Sequence, residues 1–171
     1  MGPPRLSAST DRAPRAMSAI LWGGLAAGVG DSVLALVLYR VPLAVIYQSV
    51  ASGLLGRDAY RGGLATTALG FALHFFIATT AAAVYVGASR RFPLLVRRPV
   101  PFGLGFGVAV YFFMKYLVLP LSAVSRLTPF EPAAMAGHAF LVGLPIALLA
   151  SSPGSRQPAP GHEPSGDADC G

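Results

Sequence analysis

Charge is scarce in this chain. Only 12% of its 171 residues are Asp, Glu, Lys or Arg, about half the roughly 25% of an ordinary soluble domain. That leaves too little polar surface to cover a water-soluble fold, a demand lipid removes. Lysine is nearly missing: Lys115 stands against twelve arginines. The one cysteine, Cys170, has no internal partner for a disulfide. Only Gly171 follows it, so it is no prenylation box and reads as a solvated tail thiol. No GxSxG and no P-loop is present, which argues against an enzyme of nucleophilic type, and no HxxxH, CxxCH or ExxH spacing, which argues against a metal or haem site. GLGFG at 103–107 opens an apolar stretch and follows no strand, so its glycines read as helix-packing residues. The net charge of +6 comes without a basic helix or an aromatic–basic motif, so nucleic acid is not an expected partner. The arginines sit at the ends of apolar stretches, where side chains anchor to headgroups. The lipid bilayer is the expected partner.

What is abundant is apolar sequence, at 54% of the residues. It gathers into four stretches, 18–39, 64–88, 102–124 and 133–150, each near the ~20 residues that a span requires. The first reads as a retained span: its apolar run is too long for a signal peptide and Asp31 interrupts it. Pro99 and Pro101 precede the third stretch and Pro129 and Pro132 the fourth, as helix starts tolerate. Pro120 and Pro145 fall inside spans and are expected to kink or end them. Residues 42–56 are apolar but short, which fits an interfacial or re-entrant helix; a fifth span there would reverse the topology of all that follows. The tails, 1–17, where Pro, Ser and Arg dominate, and 151–171, weakly acidic, read as disordered. The expected fold class is all-α: an integral membrane bundle of four transmembrane helices plus one short helix. Four spans place Arg5, Arg12, Arg15, Arg90, Arg91, Arg97, Arg98 and Arg156 on one side, against Arg40, Arg57, Arg61 and Arg126. Both termini are therefore expected in the cytoplasm.

Each span carries one ionisable residue: Asp31, His74, Lys115 and His138. Such groups are costly in hydrocarbon and point to a buried site or a pairing partner. At 1.5 Å per residue all four fall in the middle to outer half of a ~30 Å layer. They also lie on small-residue seams. Gly70, His74 and Ala78 share one helix sector, and Ala27 and Asp31 another, with Gly24 and Gly28 at GxxxG spacing; Tyr111 and Lys115 share a third. The expected cluster is Asp31, His74, Lys115, His138 and Tyr111, beneath a short helix bearing Gln48. Three readings follow. Asp31 and Lys115 form an ion pair in a structural core, with the histidines neutral and bonded to hydroxyls such as Thr79, Thr80 or Tyr111. Alternatively, Asp and His form a path for protons or a small solute. In the third, two histidines hold haem or, with Asp31, a metal, although no motif supports a cofactor.

The segment from Gln48 to Ser122 bears a resemblance to a known group. Its residues are Gln48 with Ala51 through Gly56, Gly62-Gly63, Leu69-Gly70, His74-Phe75, Ile77-Ala78 and Tyr85. They continue with Gly103, Gly107, Tyr111, Met114 and Val118 through Ser122. It resembles a family of small, uncharacterised bacterial four-helix integral membrane proteins. The resemblance covers under half of the chain. It implies a multi-pass protein of the bacterial inner membrane and carries no functional residue with it. Four helices enclose a small interior, which suits a homo-oligomer or a membrane partner. Topology is open to test: cysteines substituted at Arg57 and at Arg91 should label from opposite sides of the membrane. Labelling of both from one side would refute four spans.

Overall fold

The computed structural model describes residues 12–123 and 129–152. The outer parts of both expected disordered tails, and Arg126, lie outside the described residues. Among the described residues the structure is helical, with no strand. α1 runs Arg12–Tyr39, α2 Leu43–Leu55, α3 Gly63–Arg91 and α4, a single turn, Leu94–Arg97. α5 covers Pro99–Leu121 and α6 Pro132–Ala150. α1 starts at Arg12 and not at Ser18, so residues 12–17 belong to a helix and not to the tail. Pro14 does not prevent this, because first-turn N–H groups have no intrahelical acceptor.

α1, α3, α5 and α6 are each long and apolar enough to cross a membrane. α2 is not: 13 residues reach only ~20 Å at 1.5 Å each. A 3₁₀ turn, Gly56–Arg61, leads from it to α3, between Gly56 and Gly63, which take left-handed φ values of 66° and 57°. Four crossings alternate in direction, so the α1 start, the α3–α5 connection and the α6 end share one side. α2 braces the other side. Its Gly70 contact reaches α3, and its Gly53 carbonyl accepts the N–H of Ala123, just past α5, at 2.9 Å.

Packing runs α5 on α6, α6 on α1, α1 on α3 and α3 on α2. The apolar core, Ala27, Ala82, Tyr85, Val142, Ile146 and Ala147, occupies the half nearest the α3–α5 connection. Tyr85 and Phe106 close it, ring centroids 5.0 Å apart. Small residues set the spacing. A Cβ on Gly107 would stand 2.3 Å from the His138 carbonyl oxygen, and one on Gly143 would stand 2.1 Å from that of Gly103. The α5 and α6 backbones thus touch directly. Gly24 brings α1 equally close to the Thr79 backbone of α3, and Gly28 makes room for the Phe75 ring.

Pro120 and Pro145 leave their helices continuous. The backbone widens to π-helix at Met114–Val118 and at His138–Gly143, just ahead of each proline. A proline ring clashes with the carbonyl four residues back and cannot donate to it. A wider turn moves that carbonyl aside, so the chain passes the proline without stopping.

The glycine seam makes a paired prediction. Gly107→Ala should lower the unfolding temperature in detergent, by an amount matching the ~1–3 kcal/mol typical of overpacking. Gly105→Ala, on the same helix but with nothing within 4 Å, should leave it unchanged or raise it slightly.

Candidate functional site

The ionisable residues lie one to two turns beyond the apolar core, on the α2 side. Asp31 follows Ala27 by one turn, and His138 precedes Val142 by one turn. They separate into two groups, because Asp31 and its neighbour Ser32 point about 100° apart around α1.

The first group lies between α1, α5 and α6. His138 Nε2 is 3.5 Å from Asp31 Oδ1. The side-chain contact of Asp31 is therefore with His138, not with Lys115 as the charges alone suggest. His138 Nδ1 is 2.9 Å from the Ala134 carbonyl oxygen. Its imidazole meets the Tyr111 ring edge-on, centroids 5.5 Å apart. Lys115 is 7% exposed; it donates to the Pro129 carbonyl, and its ammonium lies 5.7 Å from the Tyr111 ring centroid. The start of α6 is tied across the group. Glu131 N–H donates to the Tyr111 hydroxyl at 3.1 Å, and the Tyr39 hydroxyl donates to Glu131 Oε2 at 2.8 Å.

The second group lies between α1, α2 and α3. Ser32 Oγ donates to the Gly28 carbonyl at 2.8 Å. Its proton is thereby committed, so the Tyr47 hydroxyl, 3.2 Å away, donates to Ser32. His74 Nε2 lies 2.9 Å from the same Gly28 carbonyl and 3.2 Å from Ser32 Oγ. A carbonyl only accepts, so Nε2 carries hydrogen. Phe75 and Tyr47 meet the His74 ring edge-on, at centroid separations of 5.4 and 5.8 Å.

Of the residues expected to cluster, Asp31, His138, Tyr111 and Lys115 come together, and His74 joins the neighbouring group. Gln48 does not. It is buried, and its Nε2 donates to the Gly63 carbonyl at 3.1 Å, clipping α2 to the start of α3. Ser49 donates within its own helix. The hydroxyls expected to serve the histidines are used elsewhere: Thr80 donates to Phe76 O and Thr79 packs on Gly24. Ser32, Tyr47, Tyr39 and Glu131 complete the groups and escape a search for ionisable residues inside spans. Three are hydroxyls with no charge to mark them. Glu131 sits before the fourth span, where its only signal is Pro129 and Pro132 around it. Among the described residues no group of three or more His, Cys, Asp or Glu side chains is arranged to hold a metal ion.

The surface completes the picture. In the most apolar window of each long helix only 28, 28, 22 and 33% is buried. Trp22 is 60% exposed, Phe76 69% and Phe140 58%. An apolar exterior around a partly polar interior defines a multi-pass α-helical membrane protein. Comparison with protein-family models, with curated proteins and with solved structures found no match.

The second group predicts unequal mutational costs. Tyr47→Phe removes one donor and should cost about 0.5–1.5 kcal/mol of stability. Ser32→Val removes the hub, leaves the Tyr47 hydroxyl without its acceptor, and should cost about 1–3 kcal/mol. Denaturation of both variants in the same detergent checks the order; equal costs would refute the assigned donor directions.

Proposed function

We propose that the protein moves protons across the membrane, or couples a small solute to them, and that the Asp31–His138 pair holds the proton. The carrying observation is the geometry of His138. Its Nδ1 faces a carbonyl at 2.9 Å, so that nitrogen carries hydrogen. A neutral imidazole has only one N–H. Nε2 would then present a lone pair to Asp31 Oδ1, 3.5 Å away. Two lone pairs at that range repel, and the weak dielectric of a membrane interior magnifies the effect. One more proton, on either atom, turns repulsion into attraction. The pair therefore works best with one exchangeable proton held between its two atoms. His138 and Asp31 keep 19% and 26% of their side-chain surface exposed.

The Ser32–Tyr47–His74 group supports a different role, a structural one. Its hydrogen bonds close on one another, and among the described residues no buried side-chain polar atom lacks a partner. That favours a scaffold or accessory-subunit reading for this half of the interior. The same proposal places the protein in a bacterial cytoplasmic membrane, with the α3–α5 connection and both termini on the cytoplasmic side.

Asp31→Asn separates the two readings. The amide has a fixed N–H to offer His138 Nε2, so the contact survives without an exchangeable proton. The variant should stay folded and monodisperse in detergent, while pH-driven proton flux into liposomes drops at least tenfold. Wild-type flux no higher than that of protein-free liposomes would overturn the proton reading, as would undiminished flux in the variant.

A further inference from the structure

The connection between α3 and α5 carries the densest charge in the molecule. Four of the twelve arginines fall between positions 90 and 98, and Arg90, Arg91, Arg97 and Arg98 are all exposed. The segment is held in place. Phe92 N–H donates to Ala88 at 2.9 Å, Arg97 N–H to Pro93 at 3.2 Å and Arg98 N–H to Leu94 at 3.0 Å. Leu95 packs against the apolar core, and the buried Tyr85 donates its hydroxyl hydrogen to the Leu95 carbonyl at 3.1 Å. The four guanidinium groups thus project from a fixed base.

The segment itself supplies no counter-charge. The sequence has no Asp or Glu between Asp58 and Glu131, both of those belong to the opposite end of the bundle, and Asp11, Glu163, Asp167 and Asp169 lie outside the described residues. Cations within about a Debye length, ~10 Å at 0.1 M salt, repel one another unless anions are recruited. Guanidinium binds phosphate oxygens in a fork, through two N–H groups at once. Phe92 and Leu94, in the same turn, are 61% and 50% exposed. A free anion gains nothing from those apolar side chains, whereas a lipid brings its acyl chains together with its phosphate.

We infer that residues 90–98 form a binding site for the phosphate headgroups of anionic phospholipids, with Phe92 and Leu94 entering the acyl boundary beside them. The site stands apart from the Asp31–His138 pair and does not depend on its role. It gives the bundle a charge-selective footing in the leaflet that faces this end.

The test uses the full chain in a mild detergent with phosphatidylglycerol or phosphatidylcholine added, read by native mass spectrometry and by unfolding temperature. Phosphatidylglycerol should bind in preference and raise the unfolding temperature more. The preference should fall by roughly fivefold for each arginine removed and fade with salt. R90Q/R91Q/R97Q/R98Q should abolish it, while R40Q/R57Q/R61Q, at the other end, should keep it. If the quadruple variant does not fold, R90Q/R91Q and R97Q/R98Q each remove half of the charge and should each weaken it. Equal binding of the two lipids would overturn the inference. So would loss of preference in the opposite-end variant, or inorganic phosphate reproducing the stabilisation.

Discussion

Direct backbone contact between α5 and α6 governs the interior of this protein. In hydrocarbon, helices gain nothing from hiding apolar side chains from one another, and close van der Waals approach takes over. Gly103, Gly107 and Gly143 allow it, to the point that a single Cβ at Gly107 would collide with the His138 carbonyl. The position of His138 follows from that contact. Tyr111, one turn beyond Gly107, is brought edge-on to the imidazole, and Lys115, one turn further, reaches the chain entering α6. The polar group is thus placed by residues that have no polar side chains.

The two prolines act on the same pair of helices. Each is preceded by a stretch of π-helix, and each stretch contains one of the ionisable residues, Lys115 or His138. Widening a helix shifts the angular position of every side chain after it. His138 opens its π segment while its neighbour Gly137 still belongs to a regular turn packed on Leu34 of α1. The change of pitch therefore falls at the residue that meets Asp31.

Much of the architecture was legible in the residue order. Apolar run lengths gave four spans, and the shortness of 42–56 separated α2 from them. Small residues beside Asp31, His74 and Tyr111 indicated inward faces, which is where these side chains lie. Pairing was harder to read. Asp31 and Lys115 carry opposite charge, so composition favours them as partners. Helix order decided otherwise, by setting α6 between α1 and α5. The second group was hidden because its hub is Ser32, whose hydroxyl resembles any other surface serine until the chain is folded. The prolines misled in one respect, since sequence alone does not say whether a helix stops at a proline or widens before it.

One further consequence follows from the adjacency of Asp31 and Ser32. The two interior groups hang on consecutive residues of a single helix, facing different neighbours. α1 behaves as an axle with two spokes. If α1 rolls to ease Asp31 away from His138, Ser32 turns with it against Tyr47 and His74. A roll of α1 is therefore felt on both of its faces at once.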